Sequence, residues 1–276
     1  MRRLIGIAWA TSVILGSCVQ AEATSVLPPG ITVGLPAGKP LPEGVYFTDT
    51  TGFGHRSDTV GDNGFSLPVL TWATPLQFYD TRLQLVLAQP VAWTTGTPSN
   101  VAFANSTLLA AQLAHDFGGG WGVSYLGGYR VAMPYHKAFT TDSYEQRFAV
   151  SYTAGGYDLT ANLINGIFGD HATYPDWLNL DLTATKQFGN VEAGFIAYGS
   201  SDISSPTPTY KRLRQFAVGG LMGYNFGLFK LQAFVSRDVA ERNYGGYDTR
   251  GWLRLSLPFP GYRAQAAALA PLPAKY

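Results

Sequence analysis

"WLNLDLTATKQF", residues 177–188, decides the fold. Along an extended chain Leu178, Leu180, Leu182 and Ala184 fall on one face, and Asn179, Asp181, Thr183 and Thr185 on the other. A helix would scatter the same residues around its circumference. The pattern recurs in "TRLQLVLAQ" (81–89), where Leu83, Leu85 and Leu87 oppose Arg82, Gln84 and Val86. It recurs again in "DTRGWLRLSLPF" (248–259), where Leu253, Leu255 and Leu257 oppose Arg250, Arg254 and Ser256. From about residue 44 onward the hydrophobic period is two.

The spacers between these runs alternate in length. Short Gly- or Asn-bearing turns lie near 74–80, 117–120, 153–156, 188–190 and 225–227, and longer polar stretches lie at 54–65, 94–105, 133–143, 169–176, 202–211 and 239–247. This spacing predicts about twelve strands of roughly 9–12 residues, long enough to cross a bilayer when tilted. An even strand number with short turns at one end and long loops at the other is the pattern of an outer-membrane antiparallel β-barrel. Strands of this length, polar along the middle of one face, argue against a soluble sandwich.

Composition agrees. The 276 residues carry only 13% charged side chains, against about 25% in soluble domains, with 14% aromatics, 32 glycines and a formal net charge of +1. Near-neutral charge gives no reason to expect nucleic acid. Nineteen aromatics near strand ends, among them Tyr46, Trp121, Trp177, Tyr244 and Trp252, are expected to form two interfacial girdles.

The ends read separately. Arg2 and Arg3, then "LIGIAWATSVILG", then alternative cleavage sites after Ala21 and Ala23, read as a Sec signal over residues 1–23. The single cysteine, Cys18, sits in "LGSC", which looks like a lipobox but also suits a signal cut downstream of it. Residues 24–43 form a Pro-rich segment, 44–259 the barrel with a first strand at Val45–Phe53, and 260–276 a C-terminal extension after the strand-ending Phe259. The Pro-rich segment is read two ways: a leader hanging below the barrel, or a short plug in the lumen held by Ile31, Val33 and Leu35. "Ile-Thr-Val-Gly-Leu" (31–35) alternates as an inserted strand would, which favours the plug.

A charge facing lipid at the bilayer midplane costs about 2–4 kcal/mol, so the polar set belongs inside. The lumen-lining candidates are Arg82, Gln84, Arg130, Glu145, Arg147, Asp158, Asn179, Asp181, Glu192, Lys230, Gln232, Arg250 and Arg254. Both signs occur, which speaks against a sharply ion-selective pore and suits a satisfied polar network or a narrow mixed path. No HExxH, GxSxG or P-loop occurs, and His115 and its neighbour Asp116 point to opposite faces of a strand. Neither an enzymatic role nor a cofactor or metal is expected; "GDNG" (61–64) and "GDHATYPD" (169–176) read as ordinary acidic loops.

"LPPGITVGLPAGKPLPEGVYF" (27–47) followed by "LNLDLTATKQFGNVEAGFIAYGSSD" (178–202) resembles the MetA-pathway phenol-degradation proteins, a group that includes sphingosine-uptake porin-like members. The resemblance spans essentially all of 24–259. It implies a Gram-negative outer-membrane channel for passive uptake of small hydrophobic or aromatic compounds. Its partners would be that solute, outer-membrane lipids and the barrel assembly machinery. The alternatives are a barrel enzyme of the lipid-hydrolase type and a structural barrel with a plugged lumen.

Overall fold

The computed structural model describes residues 27–96, 100–133 and 140–259. The segment 1–23 expected as a signal, Cys18, Tyr135, His136 and residues 260–276 lie outside the described residues. Fourteen strand segments form: β1 (Gly44–Arg56), β2 (Asp62–Phe78), β3 (Thr81–Ala88), β4 (Val91–Thr95), β5 (Val101–Ala104), β6 (Thr107–Gly118) and β7 (Trp121–Val131). They continue as β8 (Ser143–Tyr152), β9 (Tyr157–Phe168), β10 (Trp177–Phe188), β11 (Val191–Asp202), β12 (Arg214–Asn225), β13 (Lys230–Arg242) and β14 (Asp248–Pro258).

All pairings are antiparallel, and β1 pairs with both β2 and β14, which closes the sheet on itself. The wall has twelve strands, because β3 with β4 and β5 with β6 are each one strand interrupted. Against β2, the pairs Val69↔Ala88 and Ser66↔Val91 keep one register across Gln89–Pro90. Pro90 has no N–H to give the ladder there. On the next strand the pairing slips by one residue at Asn105–Ser106, between Val91↔Ala104 and Ala88↔Leu108. Closure leaves no free edge along the wall, which a spanning sheet requires because lipid cannot hydrogen-bond an exposed strand edge.

The period of two is realised throughout. On β10, Trp177, Asn179, Asp181, Thr183 and Thr185 are buried inside, while Leu178, Leu180, Leu182 and Ala184 face out. On the outer surface Phe195 is 77% exposed and Met222 66%, a distribution that suits acyl chains and not water. At the β6–β7 turn Gly118, Gly119 and Gly120 all have positive φ (76°, 60° and 92°), a backbone that a side chain would strain.

Two expectations are corrected. The first strand runs to Arg56, so the first long loop is only 57–61. Trp177, Tyr244 and Trp252 belong to no girdle; all three are buried inside the barrel. Strand parity explains two of them: Trp252 shares a face with Arg250 and Arg254, and Trp177 shares one with Asn179 and Asp181.

Candidate functional site: the lumen and the segment within it

Residues 27–42 lie inside the barrel. The chain enters the described region at Leu27 beside β10, crosses the lumen, and descends to the short-turn end before turning into β1. The Asn179 amide donates to the Leu27 carbonyl at 3.3 Å. Asp181 accepts from Gly30 N (2.7 Å), Thr32 N (2.8 Å) and Thr32 Oγ1 (2.6 Å). Asn162 donates to Thr32 Oγ1 at 3.0 Å, and Gly34 N donates to Thr183 Oγ1 at 2.7 Å. From the far wall Arg254 donates to the carbonyls of Ile31 (2.6 Å) and Val33, and Gln232 to that of Gly34 (2.9 Å). Lower down, Ala37 O accepts from Ser124 (2.7 Å) and Gln112 (3.2 Å), Gly38 N donates to Ser151 (2.9 Å), and Leu41 N to Gln84 (3.2 Å). Lys39 pairs with Asp116 at 2.6 Å.

The wall therefore grips the segment from β3, β6, β7, β8, β9, β10, β13 and β14. Its N–H groups meet a carboxylate and its carbonyls meet a guanidinium, so both sets of backbone polar groups are satisfied. The expected inserted strand does not form. Gly30 and Gly34 adopt positive φ (92° and 76°), and Val33 N→Gly30 O and Leu35 N→Thr32 O close tight turns. Ile31, Thr32 and Val33 are consequently all buried together instead of alternating, and Leu35 is half-buried. Close approach also demands glycine. A Cβ on Gly30 would lie 2.6 Å from the Tyr198 ring, and one on Gly38 would lie 2.6–2.7 Å from the backbone of Ser151 and Gly122.

Toward the long-loop end the lumen becomes aromatic. Phe234 stacks on Trp252 (centroids 5.0 Å apart), and Phe65 and Tyr198 meet Trp252 edge-on at 5.3 and 5.8 Å. Gly52 on β1 permits the Phe65–Trp252 contact, since a Cβ there would meet Phe65 at 2.6 Å. Ser236 Oγ accepts from Trp252 Nε1 (2.9 Å) and shares a hydroxyl–hydroxyl bond with Tyr198 (2.8 Å). The guanidiniums of Arg250 and Arg254 lie over this tier, 5.8 Å from Trp252 and 5.4 Å from Phe234.

The remaining lumen-facing charges pair among themselves. At the long-loop end Arg250 meets Asp248 (2.9 Å) and Asn63, and Arg56 meets Asp238 (3.3 Å), Gln215 (2.6 Å) and Gly246 O (3.0 Å). Arg56 also lies 4.6 Å over the Tyr244 ring, whose loop folds inward; burial pushes that phenol up to about 12. On the opposite wall Glu145 bridges Arg130 and Arg147, each at 2.6 Å. Lys230 pairs with Glu192 at 2.8 Å, and Glu192 also accepts from Gln232 and Thr185. Asp158 accepts from Thr160 at 2.6 Å. Arg82 is held at the short-turn end by Thr74 O and Gln77, both at 2.7 Å. Sequence reading expected the set from Arg82 to Arg254 inside by parity but could not give their partners, and it missed Arg56 and Asn63, which it left in a loop at 54–65. It expected aromatic walls and an inward Tyr198 but did not assemble the tier, although the parity of Phe65, Phe234 and Trp252 carried the signal.

The buried Arg130–Glu145 pair yields a first prediction. Glu145→Ala leaves a fully buried guanidinium without its carboxylate, a change that costs about 3–5 kcal/mol. The temperature at which the folded barrel loses its compact migration on detergent gels is expected to fall clearly. An unchanged temperature would show that Ser106 O and entering water satisfy the Arg130 guanidinium once the carboxylate is gone.

His115 lies outside the lumen, bonded to Thr81 at 2.8 Å, while Asp116 faces Lys39, so the two form no catalytic pair. Among the described residues no group of three metal-ligating side chains gathers.

The model of the family described as "Putative MetA-pathway of phenol degradation" matches residues 38–255. No curated protein matches the sequence. Among solved structures, the chain is similar to an outer-membrane channel of Pseudomonas putida F1 at 12% identity and a TM-score of 0.61, covering 84% of this chain and 100% of that one. It also aligns with the β-domain of the Bordetella autotransporter BrkA (10% identity, TM-score 0.49, 79% and 100% covered). The translocator domain of the Neisseria meningitidis autotransporter NalP aligns as well (13% identity, TM-score 0.45, 78% and 88% covered). At these identities the likeness is one of fold: an outer-membrane barrel.

Proposed function

Since this chain belongs to the family described as the MetA-pathway of phenol degradation, and has the fold of an outer-membrane channel, we propose that it admits small hydrophobic or aromatic solutes by passive, energy-independent passage. The observation that carries this reading is the aromatic tier of Phe65, Tyr198, Phe234 and Trp252 on the outward side of the inserted segment. A general porin lines its bore with polar side chains and water. Here the aromatic faces and two guanidiniums pack on one another, nearly closed to solvent, so a solute arriving from the long-loop end reaches them as that packing opens, and the surface then offered suits a flat, weakly polar ring. The mixed and mutually paired charges around it offer no ring of one sign to select ions. The segment 27–42 acts as the gate below the tier, so entry and release are separate steps.

Saturable uptake of phenol as a probe, persisting after the proton gradient is collapsed, supports this reading. Equal uptake in a strain lacking the gene overturns it. Within the tier, Trp252→Ala removes one stacking partner worth about 0.5–1.5 kcal/mol, so phenol entry at low concentration is expected to fall roughly 2–10-fold. Entry of a small polar solute such as glycine should not fall. Equal losses for both solutes would assign Trp252 to barrel packing alone.

A further inference from the structure

Every lumen-facing cation described above has a carboxylate or a set of carbonyl and hydroxyl oxygens around it. One group of exposed cations has no carboxylate beside it among the described residues. Lys211 and Arg212 lie in the β11–β12 loop, Arg214 opens β12, and Arg237 and Arg242 lie on β13. All five are exposed, and among the described residues none is within ion-pair distance of an acid. Their polar contacts are neutral: Arg212 with Ser205 at 2.9 Å, and Arg237 with Thr249 at 2.6 Å.

Register sharpens the point. Arg214 stands directly opposite Arg242, a like-charge cross-strand pair that destabilises a sheet unless an anion lies between the two. The adjacent acids do not serve. Asp202 and Glu241 turn to the other side, where Asp202 accepts from Tyr210 and Leu213, and Glu241 accepts from Tyr244 N. On the same face lie Phe216, Val218, Val235 and Val239, all exposed, with Arg237 level with Val218. Lys211, Arg212, Arg214 and Arg242 thus crown an apolar, lipid-facing strip at the long-loop end, and Arg237 lies within it.

We propose that this arc of β12 and β13 binds the phosphorylated headgroup of an outer-leaflet glycolipid, its acyl chains lying along the apolar strip. This rests on the outer-membrane placement of the barrel, with the long loops outward, and not on the solute it carries. Arginine suits phosphate because its planar fork bonds two oxygens at once. A soluble anion drawn toward the pore would instead meet cations on the lumen side of the wall. Arg214, Arg237 and Arg242 are on the lipid side of the wall, so the membrane is the source of the anion.

The test uses the purified full-length barrel in neutral detergent, with bound lipid counted by native mass spectrometry. Bisphosphorylated lipid A is the probe, dephosphorylated lipid A the control and inorganic phosphate the competitor. One bisphosphorylated lipid A per barrel is expected to bind, with little binding of the dephosphorylated form. Each basic residue near a charged lipid surface contributes about fivefold to binding, so Arg214→Gln with Arg242→Gln should weaken it roughly 25-fold. Lys211→Gln with Arg212→Gln sits in the loop, away from the wall, and keeps the test open should the strand variant fail to fold. Undiminished binding in both variants overturns the proposal, as does equal binding of the two lipid A forms. Full displacement by inorganic phosphate would assign the cluster to a soluble anion and overturn the lipid as its source. Because the readout is lipid binding, loss of phenol uptake in another experiment leaves it untouched.

Discussion

Deleting residues 27–42 is expected to raise the conductance of the reconstituted barrel in planar bilayers by about tenfold or more. The estimate follows from strand number: eight-stranded barrels fill their interior with side chains, sixteen-stranded ones leave an aqueous channel, and twelve lies between. With the segment in place, hydrogen bonds from eight strand segments reach it and Ile31 and Val33 pack into the interior core. With it gone, Asp181, Thr183, Gln232 and Arg254 face water that enters the space. The wall should still assemble, because its ladder closes through β1–β14 and β1–β2 without any bond from residues 27–42. The two readings of the Pro-rich stretch separate here: a free leader predicts no change in conductance, and a gate predicts a large one. Single-channel recordings of the deletion beside the intact barrel decide it. An unchanged trace with a folded wall would remove the gate from the proposed mechanism.

What the sequence disclosed and withheld follows from the range of each interaction. Alternation is local, so twelve wall strands and the inward set from Arg82 to Arg254 could be read from neighbours two residues apart. The interruption at Gln89–Pro90 went unread, because the next long polar stretch was placed at 94–105, although a proline normally breaks a ladder. Only the register of β2 against both β3 and β4 shows where the strand breaks and resumes. The plug's conformation was misread for a related reason. Ile31, Thr32 and Val33 alternate in polarity, but Gly30 and Gly34 turn the backbone, and the partners that reward those turns lie about 150 residues away in sequence, at Asp181 and Thr183. No local pattern can name a partner across a barrel. The aromatic tier is the contrary case: the parity of Trp252 placed it inside, and its nearness to a strand end was allowed to outweigh that.

Asp181→Ala, and separately Arg254→Met, are expected to leave the barrel folded but loosen the segment within it. Asp181 accepts three hydrogen bonds from Gly30 and Thr32. Bonds to a charged group contribute about 1.5–3 kcal/mol each, and losing three that act together amounts to several kcal/mol after non-additivity. At 1.4 kcal/mol per factor of ten, the docked state loses roughly 100–1,000-fold in its equilibrium with the undocked one. Arg254 is the complement. It is fully buried, with its guanidinium on Ile31 O, Val33 O and Thr50 Oγ1, so its charge is satisfied largely by the segment itself. Arg254→Lys keeps the charge but loses the planar fork that spans two carbonyls, and should fall between wild type and methionine. A cysteine placed at Val33, which is 0% exposed, reports the docked state directly, since the only native cysteine, Cys18, precedes the described chain. Labelling of that cysteine by a membrane-impermeant thiol reagent should be slow in the otherwise native barrel and faster by the same 100–1,000-fold in the Asp181→Ala background. Equal labelling rates in both backgrounds would mean that apolar packing of Ile31 and Val33, and not the carboxylate, holds the gate shut.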